Sequence, residues 1–246
     1  MKALAIDTTR AHTRDRRMEP GLPNTWSALA RADNLARAIV HVVDDDQLVR
    51  TVLQRTLTRF DCDVEEHGSA EAFLDKVDPE RPNALILDLG LPGMSGLDLL
   101  RKLNAERAMV PTIVMSSNDD VRSVVSSIQS GAIDFLPKPP DREALSRSVA
   151  KMLTSAPQML VERRIAAQFH GRRERLTPRE QEVFEHMLNG LTPKQVACEL
   201  GLRPRTSHIH CSNVLGKFDV ENANDLLLLR MRVEKGPFGE PTTQVG

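Results

Sequence analysis

Acidic, hydroxyl and lysine side chains stand directly after short apolar segments of the chain. These are Asp44 and Asp45 after residues 38–43, Asp88 after 84–87, Ser116 after 112–115 and Lys138 after 133–136. Crowded carboxylates repel each other unless a cation joins them, and Mg²⁺ prefers oxygen ligands. Because a carboxylate is also a competent nucleophile toward phosphorus, the set predicts a magnesium-dependent site that forms an aspartyl phosphate on Asp88. Asp45 would hold the metal, Lys138 would supply a cationic partner and Ser116 a hydroxyl.

The apolar segments alternate with stretches whose apolar residues recur at helical spacing. Helices are predicted over residues 47–59, 69–76, 96–107, 121–130 and 141–153, and a weaker strand is predicted around Val64. Five strands alternating with five helices predict a doubly wound α/β fold, in which helices cover both faces of a five-stranded parallel sheet. Ligands of such sheets lie beyond the carboxyl ends of the strands, where the polar side chains above converge.

Residues 38–153 resemble the flavodoxin-like receiver domain of two-component response regulators. The resemblance rests on Val43-Asp44-Asp45-Asp46, on residues 87–96, on Ser116-Ser117 and on Asp134-Phe135-Leu136-Pro137-Lys138-Pro139. It implies that a sensor histidine kinase phosphorylates Asp88. It also implies that Mg²⁺ is bound directly by Asp45, Asp88 and the backbone carbonyl of Gly90, and through water by Asp44. The phosphoryl-binding and switch residues it implies are Ser116, Ser117, Lys138 and Phe135.

Two further features of this region follow from the resemblance. The Lys138–Pro139 peptide bond is expected to be cis, and Pro140 departs from the bulkier apolar residue usual in the family. The surface formed by residues 121–130, 133–136 and 141–153 is expected to pair two receivers into a homodimer when Asp88 is phosphorylated.

The last third of the chain is predicted to be helical, and its helix-start signals have the spacing of a helix-turn-helix. Residues 177–180 and 192–195 have the pattern of capping boxes with Pro at the first helical position, and a third helix is predicted from Pro204 to about Phe218. In that third helix the residues predicted to face inward are Ser207, Cys211, Val214, Leu215 and Phe218. The residues predicted to face the major groove are His208, Ile209 and Ser212.

Residues 173–235 resemble a LuxR-type DNA-binding domain, so that the chain as a whole is similar to FixJ-like or NarL-like transcription regulators. The matching residues include Leu176-Thr177-Pro178-Arg179-Glu180, Gly190-Leu191-Thr192 and Lys217-Phe218. The resemblance implies that Lys194, Thr206 and Lys217 contact DNA phosphates, while His208, Ile209 and Ser212 face bases. A fourth helix, residues 222–232 with Leu226, Leu227 and Leu229, is predicted to form a dimer face. Arg203 and Ser207 depart from the small N-cap and the apolar core residue of the family.

Composition and charge agree with two separate modules. Residues 39–153 hold 13 Lys and Arg against 19 Asp and Glu, whereas residues 154–246 hold 13 against 11, so a mildly basic module follows an acidic one. The predicted division is an extension without fixed structure over 1–37 (with a short helix possible from Trp26 to Ala38), a receiver over 38–153, a partly helical linker over 154–172, the separate all-α DNA-binding domain over 173–235 and a flexible tail over 236–246. Three distant cysteines and the lack of a long apolar run favour a reduced, cytoplasmic protein without a membrane segment.

Two other functions are compatible with part of this pattern. A phosphohydrolase with an Asp nucleophile needs a second carboxylate two residues later, and Gly90 occupies that position. A DNA-binding regulator that is not phosphorylated would not need the complete set of Asp45, Asp88, Ser116 and Lys138. The sequence therefore favours a phosphorylated DNA-binding regulator, bound to double-stranded DNA and without enzymatic activity beyond slow loss of its own phosphoryl group.

Overall fold

Five parallel strands form one sheet in the N-terminal part of the chain. The computed structural model describes residue 26 and residues 36–117 and 121–235. The strands are β1 (Ala38–Val43), β2 (Cys62–His67), β3 (Asn83–Asp88), β4 (Thr112–Ser116) and β5 (Asp134–Pro137), and their order in the sheet is β2-β1-β3-β4-β5. The predicted parallel α/β fold is confirmed.

Burial explains which strands occupy the centre of the sheet. Every residue of β1, β3 and β4 is buried, as expected of apolar strands covered by helices on both faces. The edge strands β2 and β5 are only partly buried and carry polar residues. The strands with the strongest apolar pattern therefore hold the site residues Asp44, Asp88 and Ser116 at their carboxyl ends.

The helices that connect the strands begin where side chains can cap them. These helices are α1 (Gln47–Leu57), α2 (Ala70–Leu74), α3 (Gly96–Ala105) and α4 (Val121–Gln129). Asp46, Ser69 and Ser95 each accept a hydrogen bond from a backbone N–H in the first turn of the helix that follows. Asp46 is thus an N-cap, which separates it from the two acidic residues before it.

A single long helix, α5 (Arg142–Glu174), follows β5. The sequence predicted a helix ending at Leu153 and a partly helical linker after it, but the structure continues the helix through Pro157. Proline lacks an N–H and crowds the carbonyl four residues earlier, so Pro157 weakens the helix locally. The helix persists because apolar residues on both sides of Pro157 are buried.

The two halves of α5 belong to two different cores. Leu145, Val149, Met152 and Ala156 pack with the strands and α1, whereas Val161, Ile165, Ala166 and Phe169 pack with the C-terminal helices. The segment predicted as a linker is therefore part of a packed core.

Four helices complete the C-terminal part: α6 (Pro178–Leu188), α7 (Pro193–Glu199), α8 (Pro204–Phe218) and α9 (Ala223–Lys235). The capping box of Thr177 and Glu180 is present, and in the second box the Gln195 side chain accepts from the Thr192 backbone N–H at 2.8 Å. Short α7, a turn at Gly201 and longer α8 form the predicted helix-turn-helix.

The prediction that Leu226, Leu227 and Leu229 form a dimer face is not supported. Leu226 and Leu229 are fully buried in the core of their own chain, and Leu227 packs against that core. The opposite side of α9 carries the exposed apolar residues, Leu228 and Met231.

Two remaining expectations concern cysteines and membranes. Cys62, Cys198 and Cys211 are free thiols, and Cys211 is buried as a small core residue, as predicted. Within the described residues, no helix combines the length and the apolar character required to span a bilayer.

The start of α3 leaves no room for a side chain beside Asp88. A Cβ added at Gly96 would lie 2.0 Å from the Asp88 carbonyl oxygen and 2.9 Å from the Leu89 Cα. We expect Gly96→Ala to lower the free energy of unfolding by about 1–3 kcal/mol, because the backbone that carries Asp88 must move. Urea denaturation followed by circular dichroism measures the change.

Gly171→Ala is the matched control for that substitution. Gly171 lies inside α5 with no heavy atom within 4 Å of an added Cβ. Alanine is the better helix former, so this variant should be stabilised by about 0.5–1 kcal/mol. Equal destabilisation of both variants would contradict the close contact at Gly96.

Candidate phosphoryl site and nucleic-acid interface

Three carboxylates converge at the carboxyl end of the sheet. Asp44 and Asp45 follow β1 and Asp88 ends β3, and one oxygen from each lies within 4.8 Å of the others. Asp44 and Asp88 are buried, whereas Asp45 is exposed. The structure thus brings together the acidic residues that the sequence predicted to act together.

Lys138 places a positive charge among these carboxylates. Its Nζ lies 2.6 Å from Asp44 Oδ2 and 3.1 Å from Asp88 Oδ2. Its backbone N–H donates to the Ser116 carbonyl at 2.9 Å, which joins the ends of β4 and β5. The Lys138–Pro139 peptide bond is cis, as predicted.

Burial and the neighbouring charges act in opposite directions on each pKa of this pair, and both pKa values end above their ordinary values. Burial raises the pKa of Asp44, and the hydrogen bond from Lys138 offsets only part of that rise. Burial alone would lower the pKa of Lys138, but its hydrogen bonds and attraction to Asp44 and Asp88 outweigh burial and raise it. A charged lysine therefore holds two carboxylates that would otherwise repel each other.

The other predicted switch residues lie around the same rim. Ser116 is buried at the end of β4 and Ser117 is exposed beside it. Phe135, on β5, is partly buried against the apolar cluster on one face of the sheet. A Cβ added at Gly90 would lie 3.5 Å from Asp88 Oδ2, so the Gly90 backbone borders the carboxylates.

Two residues that the sequence did not single out support the rim. The Arg50 guanidinium donates to the carbonyls of Asp44 and Asp45 at 2.7 and 3.1 Å. The His67 carbonyl accepts from the Asp44 N–H at 3.2 Å. Both act on backbone atoms, so no side-chain motif in the sequence could reveal them.

Three buried polar side chains, one each from β1, β2 and β3, contact one another inside the domain: His41, His67 and Asn83. His41 Nδ1 lies 3.0 Å from His67 Nε2, and His41 Nε2 lies 3.0 Å from Asn83 Oδ1. Burial lowers the pKa of both imidazoles, that of His67 to about 4. Both rings are therefore neutral at pH 7 and fit the apolar surroundings that also include Phe73.

Helix α8 presents two distinct faces, as the sequence predicted. Ser207, Cys211, Val214 and Phe218 are buried, and Leu215 is partly buried against the same core. His208, Ile209 and Ser212 are exposed on the outer face. The Ser207 hydroxyl donates to the Pro193 carbonyl at 2.7 Å, which explains how a polar residue is accommodated inside.

The residues predicted to touch DNA phosphates have different surroundings. Lys194 is exposed on α7 and Thr206 is partly buried near the start of α8. Lys217 Nζ lies 2.6 Å from Glu180 Oε2 and donates to the Arg175 carbonyl at 3.0 Å. Lys217 is therefore bonded within its own domain, whereas Lys194 is open to solvent.

Comparison with known proteins agrees with both halves of this architecture. The family model described as response regulator receiver domain matches residues 40–150, and that of bacterial regulatory proteins of the luxR family matches residues 174–229. The chain is 34% identical over 203 residues to the transcriptional regulatory protein FixJ of Azorhizobium caulinodans, covering 82% of this chain and 96% of that protein. It is 33% identical over 201 residues to the response regulator protein TmoT of Ectopseudomonas mendocina, covering 82% and 91%. The solved structure of response regulator StyR matches with a TM-score of 0.58 and 34% identity, over 80% of this chain and all of that one.

The fold and the acidic rim define a receiver domain joined to a helix-turn-helix domain, and thus a two-component transcription regulator. The chain belongs to the FixJ-like response regulators with a LuxR-type DNA-binding domain.

The buried carboxylate of Glu180 gives the DNA-binding domain a defined pH dependence. Burial alone would raise its pKa, but hydrogen bonds from Lys217 and Thr177 outweigh burial and lower it to about 2. A carboxyl group with a lowered pKa stabilises the fold above its ordinary pKa, and this contribution is lost as the pH falls toward 2. We expect Glu180→Gln to remove about 1–3 kcal/mol of stability at pH 6 and much less at pH 3. Chemical denaturation across this pH range measures the difference.

The exposed Glu199 on α7 offers the matched control, since Glu199→Gln makes the same chemical change. This variant should keep the wild-type pH profile. A Glu180→Gln profile parallel to that of the wild type would show that the pair with Lys217 is not the source of the acid sensitivity.

Proposed function

We propose that Asp88 accepts a phosphoryl group from a sensor histidine kinase and that this phosphorylation controls DNA binding. The observation that carries the proposal is the position of the Lys138 ammonium, bonded to both Asp44 and Asp88 beside a third carboxylate. An Asp88 oxygen attacks phosphorus, and the bond from phosphorus to the kinase histidine breaks as the acyl phosphate forms. Lys138 would then have a phosphoryl oxygen as partner, and Ser116, buried at the end of β4, would provide a hydroxyl.

The rim also fits Mg²⁺, because its donors are oxygens and one residue of the cluster is open to solvent. Asp45, Asp88 and the Gly90 carbonyl would bind the ion directly, with Asp44 acting through water. When bound, Mg²⁺ would neutralise charge on the carboxylates and on the phosphoryl oxygens. Lys138 holds the carboxylates together by its own charge, and the exposure of Asp45 gives access from solvent.

The same proposal includes a homodimer formed on phosphorylation. Val121, Val125 and Ile128 form an exposed apolar stripe on α4, at the spacing of one helix face. Ser116 would move toward the phosphoryl group, and the Phe135 ring would then enter the space that Ser116 leaves. Because Phe135 is on β5, these movements would alter β5 beside this stripe. To shift the ratio of the dimer-forming state to the other state from 1:99 to 99:1, phosphorylation must stabilise the dimer-forming state by about 5.5 kcal/mol relative to the other.

For DNA recognition we propose that α8 enters the major groove of double-stranded DNA. Its exposed residues His208, Ile209 and Ser212 would face bases, while Lys194, Thr206 and Lys217 contact phosphates. A C₂ dimer would present two such helices to two half-sites. A protein that acts on DNA in this way would work in the cytoplasm, which is the location we propose.

Phosphorylation is tested with acetyl phosphate and Mg²⁺ as the phosphoryl source. Wild type should gain one acyl phosphate by intact mass, and Asp88→Asn none, because the amide is similar in shape but not nucleophilic. Asp61→Asn, the same change at an exposed position, serves as control and should be modified like wild type. Unimpaired modification of Asp88→Asn would refute the assignment.

Sedimentation of the same proteins with beryllofluoride, which mimics a phosphoryl group, tests the coupling. Wild type should become a dimer and bind its operator more tightly, whereas Val125→Glu should stay monomeric while still accepting phosphate. If mass and DNA affinity of wild type do not change, the proposed link from Asp88 to the α4 surface is wrong.

DNA contacts are tested by the dependence of affinity on salt. Lys194→Ala should weaken binding to all sequences alike and reduce the slope of log affinity against log salt by about one unit. His208→Ala should alter base preference more than slope. Lys102→Ala, on the receiver surface, controls for loss of charge alone and should change neither quantity. Equal losses on cognate and random DNA for His208→Ala would contradict its groove-facing role.

A further inference from the structure

Trp26 is buried in the DNA-binding domain although it precedes the receiver in the chain. The side chain is fully buried and belongs to the apolar cluster formed by the second half of α5 and helices α6 to α9. Its indole Nε1 donates to the Phe218 carbonyl at 2.9 Å, across 192 positions of sequence. This residue falls within the segment predicted to be an extension without fixed structure; apart from it and residues 36–37, that segment lies outside the described residues.

The carbonyl that Trp26 meets is at the C-terminal end of α8. The last four carbonyls of a helix have no donor within that helix. Phe218 is the last residue of α8, and the carbonyl before it, that of Lys217, accepts from Arg172 Nη1 at 3.2 Å. Two successive terminal carbonyls are therefore bonded by side chains from outside the helix-turn-helix.

Trp26 and Arg172 also contact each other. The Arg172 guanidinium carbon lies 5.0 Å from the centroid of the Trp26 ring, within the range of a cation–π interaction. A positive charge near a helix C-terminus is favourable as well. The Phe218 ring is held separately, stacked on Phe184 at 5.0 Å between centroids and close to Phe169 at 5.2 Å.

We propose that the end of α8 forms an indole pocket whose occupant is Trp26 of the same chain, and that this docking positions the recognition helix. Trp26 is then a positioning residue for DNA binding, acting through the α8 backbone and not through contact with DNA. The proposal rests on the role of α8 proposed above. Docking within one chain is feasible because Ala38, where β1 begins, is twelve residues along, a reach of roughly 40 Å when extended.

The sequence offers a direct spectroscopic readout of this docking. The chain has one Trp and no Tyr, so its fluorescence excited at 295 nm comes from Trp26 alone. The folded full-length protein should show emission shifted to the blue and protected from acrylamide. Protection that does not depend on protein concentration indicates docking in the same chain; protection that appears only as concentration rises would overturn docking within one chain.

The decisive experiment measures DNA affinity of full-length variants below their unfolding temperatures. Trp26→Ala should bind operator about tenfold more weakly, because a smaller fraction of the protein has α8 in its binding arrangement. Trp26→Phe keeps an aromatic ring but loses the indole N–H, so its affinity for DNA should lie between that of wild type and that of Trp26→Ala. Added free indole should restore affinity to Trp26→Ala and leave wild type unaffected, at a temperature where circular dichroism shows that both proteins are fully folded without indole.

Measurements of phosphorylation and of the proposed groove face distinguish a failure of this proposal from a failure of the proposed role of α8. Both Trp26 variants should accept phosphate on Asp88 like wild type. If His208→Ala alters base preference but Trp26→Ala binds DNA normally, the positioning role of Trp26 is refuted while that of α8 stands. If neither variant alters DNA binding, the proposed role of α8 is refuted, and with it the positioning role of Trp26.

Discussion

The crowding of Asp44, Asp45 and Asp88 at one end of a parallel sheet is the constraint on which the N-terminal domain depends. Two like charges 4 Å apart repel by about 4 kcal/mol at an effective dielectric constant of about 20. Lys138 offsets this repulsion through its bonds to two of the three carboxylates. Because the cation comes from β5 and the carboxylates from β1 and β3, electrostatics joins strands that are not neighbours in the sheet. A change of charge at Asp88 must alter the same bonds, which makes this rim suited to a switch.

Helix α5 is packed into the cores of both domains and so connects them rigidly. Its first half packs on the sheet and its second half is part of the core that supports α8. Further contacts hold it along its length: Arg164 donates to the Glu80 carbonyl at 2.9 Å, and Arg232 of α9 bonds Glu162 with Nη2 at 2.6 Å. A helix that is buried in both cores cannot move in one without straining packing in the other, since packed cores do not deform continuously.

In the C-terminal core, single side chains join helices and segments that are distant in the chain. Glu180 caps α6, bonds Lys217 of α8 and has a strongly lowered pKa, so one buried carboxylate joins two helices. Arg172 and Trp26 complete the far end of α8 from α5 and from the N-terminal segment. The outer face of α8 stays exposed because its backbone and inner face are held by these partners.

The sequence alone determined the α/β fold, the rim residues and the two faces of α8. Alternation of apolar segments with helical spacing is a local pattern, and the topology of parallel sheets brings strand ends together without further information. Only the tertiary structure decided that Lys138 lies closer to Asp44 than to Asp88, that α5 passes through Pro157 and that Leu226 and Leu229 face inward. The burial of Trp26 was beyond sequence reasoning because its partner is 192 residues away, and a contact of that range leaves no periodic or spacing signal in the chain.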